Sequence, residues 1–380
     1  MPHLNEAQLA MRDAIRTMVE REIRPIAAEI DETDRIPERL FDVFGDMGLM
    51  QLWIPERYGG PGGDLTTVCL AREEIARVSE ACALIAGQNS IGLVLPLLHF
   101  GTEEQRQRWL PMAAKGRTLT AVAITEPEAG SDVGAMKTRA RRDGDSWVID
   151  GQKCYITWGN IAHWVLVFAR TSGERGFDGI SCFLVDTKTP GFHVGKNERK
   201  MGLHGVPNVS LYFEEMRVPA ENMIGQEGQG FRAAMRILDL NRPTVGAAAV
   251  GLAQGALDAA VAYAKERRQF GRAIAEFQGL QFMLADMQMQ VEAARALVYE
   301  CARLVDAGDF SRLTEMASMA KCFASDVAMR VTTDAVQIFG GAGYMKDYPV
   351  ERMMRDAKIN QIFEGTNQIQ RLVIARHLLA

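Results

Sequence analysis

One acid, Glu364, stands in "IFEGTNQIQR" (362 to 371) behind Ile362 and Phe363 and ahead of the pair Gly365-Thr366. A carboxylate whose neighbours exclude water has a raised pKa, which suits it to accept a proton near neutral pH. A glutamate at a helix junction reads the same way locally, because Gly-Thr is also a junction signal. Two more stretches gather turn residues with polar groups: "AITEPEAGSDVGA" (123 to 135) and "QIFGGAGYMKD" (337 to 347). In the first, Thr125, Ser131 and exposed backbone amides follow a strand pattern and can cradle a phosphate or the carbonyls of a heterocycle. A capped surface turn has the same composition. In the second, "GGAG" lacks the GxGxxG spacing of a dinucleotide fingerprint, and no GxxxxGK[ST] occurs, so a helix-terminating turn is favoured.

Other chemistries find little support. His3, His99, His163, His193, His204 and His377 show no HxxxH or HExxH spacing and no nearby cysteines, so no metal site is expected. Without GxSxG, a nucleophilic triad is unsupported too, and each histidine is expected to be structural. The six cysteines are far apart with no CxxC pair, which fits buried small residues better than disulfides or zinc ligands.

These residues need a scaffold, and the chain's texture changes twice. From Asn5 to about Ile30, apolar residues recur at helical spacing, which predicts one amphipathic helix with Pro37 closing the region that follows. "PERYGGPGGD" (55 to 64) is a loop, and 66 to 79, 83 to 99 and 103 to 115 read as shorter helices. Thr102 ahead of Glu103 and Glu104 suits a helix start. From Leu119 onward, "TLTAVAIT", "SWVID", "CYITW", "HWVLVFAR", "ISCFLVD" and "VSLYFEEM" are short β-branched or aromatic runs. Asp143-Gly144 and Asp150-Gly151 are candidate turns between them. After Gly228 helical spacing returns; Leu284, Met287, Val291, Ala294, Val298, Cys301 and Val305 form a stripe that faces another helix. The Ala- and Gly-rich stretch 244 to 268 permits close backbone approach.

The expected fold is therefore α+β multidomain. It comprises an all-helical N-terminal domain (1–117), a middle antiparallel β barrel or sandwich (118–227) and a C-terminal four-helix-bundle-like domain (228–380). With 380 residues, 47% of them hydrophobic and 24% charged, the chain can fill such cores. A net charge of -5 with scattered basic residues lacks the footprint of a nucleic-acid binder. No signal peptide or run of about twenty apolar residues is evident, so a cytoplasmic protein of a bacterial host is expected.

Taken together, the three stretches resemble the acyl-CoA dehydrogenase family of flavoproteins, over nearly the whole chain and in the same helix, sheet, helix order. "AITEPEAGSDVGA" fits the family's first signature. Gln337, Gly340, Gly341, Gly343 and Tyr344, continuing to Asp347, Arg352 and Asp356, fit the second. The resemblance implies FAD-dependent α,β-dehydrogenation of an acyl-CoA thioester to a trans-2-enoyl-CoA. Glu364 falls at the base position of the short- and medium-chain branches. Its own amide and a flavin ribityl hydroxyl would bind the thioester oxygen.

Position by position, the resemblance implies FAD contacts at Val122, Thr125, Ser131, Tyr155, Ile156, Thr157, Thr366 and Gln368. A further set, Arg267, Gln269, Phe270, Gln278, Gln337, Gly340 and Gly341, would hold the pyrophosphate and adenosine of a neighbouring subunit's cofactor. Ser131, Asp239, Arg242, Gly365 and Arg376 align with acyl-CoA contacts, and Gly87 with the pocket floor. A homotetramer and an electron-transferring flavoprotein as electron acceptor follow by the same resemblance. Three features depart from it: Trp158 where Asn or a small residue is common, Tyr155 for a frequent Trp, and "MGLHGVPN" (201 to 208) for a Ser/Thr-bearing stretch. The alternatives are a related flavoenzyme of oxidase or desulfinase type and a silent scaffold. Retention of Glu364 and Arg267 argues against a nitroalkane oxidase, a desulfinating relative and a scaffold, and the chain has no room for the extra carboxy-terminal domain of the acyl-CoA oxidases.

Overall fold

The computed structural model describes residues 4–173 and 175–379, so His3 lies outside the described residues. The first part contains α1 (Glu6–Met18), α2 (Ala27–Thr33), α3 (Glu38–Asp46), α4 (Leu65–Ala76), α5 (Glu80–Ala83), α6 (Leu95–Phe100) and α7 (Glu103–Ala114). The single helix expected over 5 to 30 is interrupted: α1 runs into a π turn at Val19–Ile23 and a 3₁₀ turn at Arg24–Ile26. Pro25 has no N–H to continue the ladder, and the chain re-aims there. The helix expected over 83 to 99 is likewise split, because Gly87 adopts a φ of 63°. What forms instead is a π turn at Ser90–Val94 leading into α6. Helix α3 was not foreseen; it buries Leu40 and Phe44 on one face. At α7, Thr102 and Gln105 form a reciprocal capping box.

The middle part contains β1 (Thr120–Ala123), β2 (Arg139–Asp143), β3 (Ser146–Thr157), β4 (Trp164–Arg170), β5 (Ile180–Asp186), β6 (Phe192–Asn197), β7 (Asn208–Pro219) and β8 (Met223–Ile224). Their order is β6-β7-β3-β2-β4-β5-β8, with β1 beside β4. The sheet is not wholly antiparallel: β1 runs parallel to β4, and β2 meets β4 in parallel at Arg139 and Arg170. The long connection between β1 and β4 supplies the crossover that a parallel pair needs. Asp143-Gly144 opens the β2–β3 hairpin as expected. Asp150-Gly151 does not turn the chain; it forms a bulge inside β3, where Gly151 has a φ of 149°.

Side chains on β4 alternate between two cores. Val165, Val167 and Ala169 point into the sheet's own interior, whereas Leu166 and Phe168 join the core of the helical bundle. The period of two thus fastens the sheet to its neighbours.

The last part contains α8 (Gly230–Glu266), a small hairpin of β9 (Arg268–Gln269) and β10 (Arg272–Ala273), α9 (Gln278–Asp306), α10 (Leu313–Phe339), α11 (Val350–Asn360) and α12 (Asn367–Leu379). In the stripe on α9, Met287, Val291, Ala294, Val298 and Cys301 are buried. Helix α8 is long and apolar enough to cross a bilayer by composition, but its apolar surface is buried within the fold, beside α4, α9 and α10. Its glycines explain how: a Cβ on Gly251 would lie 2.1 Å from the Glu73 carbonyl oxygen, and one on Gly255 2.0 Å from that of Arg77. All six cysteines are free and buried.

Candidate functional site

Glu364 occupies the turn between α11 and α12 at a φ of 54°, followed by Gly365 at 91°. Such a conformation is strained for a glutamate and persists only when its surroundings over-determine it. They do. Arg242 Nε and Gln370 Nε2 donate to the Glu364 carbonyl at 3.1 and 3.2 Å. Lys321, fully buried on α10, donates through Nζ to the Gly365 carbonyl at 2.8 Å and to Asn367 Oδ1 at 3.0 Å. The amide N–H of Glu364 donates to no acceptor among the described residues.

The carboxylate is held on one side only. Asn241 Nδ2 donates to Oε1 at 2.6 Å, while Oε2 is shielded from solvent and unpartnered. Burial pushes the Glu364 pKa up, against the opposing pull of Arg72, Arg242, the Asn241 hydrogen bond and Lys321. An oxygen with unused acceptor capacity, a raised pKa and an N–H without an acceptor among the described residues have the chemistry to accept a proton beside an oxyanion donor.

Arg242 and Asp239 pair with each other on α8, and Thr314 Oγ1 donates to Asp239 Oδ2 at 2.7 Å. Both residues are buried, so they brace the Glu364 turn from behind. Arg376 is exposed on α12, and Ser131 is exposed on the loop after β1. Asn241, Lys321 and Gln370 were not singled out from the sequence. The available signal was a lone lysine in the apolar stretch "SMAKCFA" and an asparagine beside Arg242 in "DLNRP".

A second face is built on β1 and β3. The Thr125 carbonyl accepts from the Cys154 N–H at 2.9 Å. Next to it a buried pair, Lys153 and Glu126 at 2.8 Å, ties the 124–126 loop to β3, and Lys153 also donates to the Ile124 carbonyl at 2.9 Å. Burial lowers the Lys153 pKa to about 8 against the pull of Glu126. The β3–β7 register shifts between Lys153 and Ile156, leaving Tyr155 at a φ of 59° and 69% exposed while Ile156 is buried. Thr157 Oγ1 accepts from Asn208 Nδ2 at 3.3 Å. Val122 is half-buried on β1, Thr366 Oγ1 caps α12 by accepting from the Ile369 N–H, and Gln368 is exposed.

Of the departures, Tyr155 faces outward, as does Met201 at the start of "MGLHGVPN". Trp158 turns inward at a φ of 64° and packs edge-on against Phe41 with ring centroids 5.7 Å apart. Leu203 and Val206, from "MGLHGVPN", enter the same core.

A third group is on the surface. Arg267, Gln269, Phe270 and Gln278 lie on or beside the β9–β10 hairpin, and Phe270 is 94% exposed. Gln337, Gly340 and Gly341 are exposed at the end of α10, and a Cβ on either glycine would meet nothing within 4 Å. Among the described residues no hydrogen bond joins this group to the Thr125 and Thr157 face. A cavity of about 980 Å³ lies elsewhere, between α1, α4, α8 and residues 346–353, and its lining mixes acids with bases. No cluster of metal ligands occurs among the described residues.

Comparison with known proteins agrees with this arrangement. The acyl-CoA dehydrogenase N-terminal, middle and C-terminal domain models match residues 5–117, 121–216 and 228–379. A probable acyl-CoA dehydrogenase of Mycobacterium tuberculosis is 51% identical over 99% of this chain and 96% of its own. Butyryl-CoA dehydrogenase of Megasphaera elsdenii superposes with a TM-score of 0.95 at 42% identity, covering 100% of this chain and 99% of its own. A chain solved in work on the electron transferring flavoprotein of Acidaminococcus fermentans reaches a TM-score of 0.96 at 47% identity, with 100% and 99% covered. With three domain models matched in order and a strained, half-buried glutamate held in the turn before the last helix, this chain belongs to the acyl-CoA dehydrogenase family and is an acyl-CoA dehydrogenase.

Proposed function

We propose that the enzyme removes the α proton and the β hydride of an acyl-CoA thioester, giving the trans-2-enoyl-CoA, with Glu364 as the base. The carrying observation is its carboxylate: raised in pKa, bound by one donor at Oε1, and with Oε2 shielded from solvent and unpartnered among the described residues. The Glu364 N–H, free of any acceptor among the described residues, is oriented by the turn to bind the thioester oxygen. There it stabilises the charge that develops as the α proton leaves. Arg242, Gln370 and Lys321 keep that turn fixed, so little reorganisation accompanies proton transfer.

The residues present fit FAD. The open glycines Gly340 and Gly341 and the guanidinium of Arg267, which has no partner among the described residues, offer a phosphate-binding surface, and the β3 bulge presents Tyr155 and Thr157 at the strand end. When bound, the flavin supplies hydride acceptance from the β carbon. By the family resemblance, we assign the exposed Arg267 group to a neighbouring subunit's cofactor. The exposed apolar residues Phe270, Phe282, Met289, Tyr344 and Leu372 support a homotetramer. An electron-transferring flavoprotein is the proposed electron acceptor.

Glu364→Gln tests the assignment. The variant is expected to keep its flavin and lose about 10² to 10⁴ in turnover. Anaerobic flavin bleaching by an acyl-CoA at the parent rate would sink it.

A further inference from the structure

Arg72 lies on α4 with 6% of its surface exposed. Its Nε donates to the Ala86 carbonyl at 3.0 Å, fixing the guanidinium beside Gly87. Nη1 and Nη2 have no partner among the described residues, yet neither belongs to the sealed polar atoms, so both open onto space that solvent reaches. Two acids, Glu364 and Glu80, act on Arg72 through space without forming an ion pair with it.

A buried cation without a counter-ion is costly, by several kcal/mol in typical cases. Glu80 does not serve as one at neutral pH, since burial raises its pKa to about 8. Glu364 takes up a proton during the reaction itself. What remains is a forked pair of donors beside the base, complementary to a planar anion. With the α carbon held at Glu364, any group that meets Arg72 belongs to the acyl chain. An alkyl end there would strip the guanidinium of its remaining water and return nothing.

We propose that Arg72 is a specificity-determining residue that receives a carboxylate at the far end of the acyl chain, making the substrate the CoA monothioester of a dicarboxylic acid. This rests on Glu364 being the base.

The test uses flavin-loaded enzyme under anaerobic conditions with two thioesters of equal carbon count, pentanoyl-CoA and glutaryl-CoA. The parent is expected to favour glutaryl-CoA by about tenfold or more in kcat/KM, mainly through KM. In Arg72→Gln that ratio is expected to fall roughly 100-fold, and in Arg72→Lys by less, because a point charge keeps attraction but loses the fork. A residue that merely kept Glu364 ionised would, on replacement, slow both thioesters alike and shift the pH profile of both; that result overturns the proposal. So does a parent enzyme bleached by pentanoyl-CoA and not by glutaryl-CoA, which needs no variant to fold and leaves the Glu364 assignment intact. Bleaching by neither thioester, nor by any other acyl-CoA, would remove both readings together.

Discussion

At the scale of single residues, Asn241 is the informative neighbour of the base. Among the described residues it is the one hydrogen-bond donor to the Glu364 carboxylate, and a donor to the charged form holds a pKa down. A base works ionised, so on the proposed assignment of Glu364 activity rises with pH through its pKa. Asn241→Leu is expected to move the acidic limb of the kcat/KM profile upward by roughly one pH unit, about a tenfold loss on that limb. A uniform loss at all pH values would show that Asn241 only packs. Glu364 itself was legible in the sequence because apolar neighbours and a Gly-Thr junction are local features. Lys321 and Asn241 were not, since nothing near them in the chain announces which turn they will meet from α10 and α8.

Among the elements, the approach of α8 to α4 sets opposite signs for two identical substitutions. In Gly251→Ala the new Cβ lies 2.1 Å from the Glu73 carbonyl oxygen, a backbone atom that cannot swing aside. The strain of about 1–3 kcal/mol outweighs the helix-propensity gain of about 1 kcal/mol, so the melting temperature falls. Gly279 on α9 has nothing within 4 Å, so Gly279→Ala is expected to raise stability by up to about 1 kcal/mol. Two variants shifting in the same direction would refute the packing argument.

Glu80, on α5, gives a pH signature. Its folded pKa of about 8 lies above the ordinary value of 4.5, so its contribution favours the fold below about pH 4.5 and is lost as pH rises toward 8. Glu80→Gln should therefore be more stable than the parent at pH 8, on the order of 1 to 3 kcal/mol, with the gap closing at pH 5. Urea unfolding at both pH values checks this, and a constant gap counts against it. The elements that the sequence concealed have local causes of a similar kind. Pro25 and Gly87 split helices whose apolar spacing alone looked continuous, and the β1–β4 pairing is parallel because a distant crossover, not a turn residue, decides it.

For the whole molecule, the Arg267 hairpin is decisive. Phe270 is 94% exposed on a two-stranded ribbon that would have little reason to persist uncovered. Phe270→Asp is expected to lower both the mass measured by light scattering and the flavin-to-protein ratio if, as proposed, one surface serves assembly and cofactor retention. A variant that changes mass and keeps full flavin content would separate the two. The helix, sheet, helix order was readable from the changes in hydrophobic period. The proposed partition of the site between one interior face and one outer surface came from the family resemblance alone, since spacing along a chain does not say which loops point outward.

The inward turn of Trp158 has a consequence for modularity. The residue that follows the Thr157 face completes the core of a different domain, together with Phe41, Leu203 and Val206. Grafting in a middle domain with a small residue there would leave an indole-sized hole between the parts, costing about 3–5 kcal/mol. The three domains of this enzyme are therefore not interchangeable cassettes: a chimera that exchanges the middle domain must match Phe41 of the first domain to whatever residue arrives at position 158.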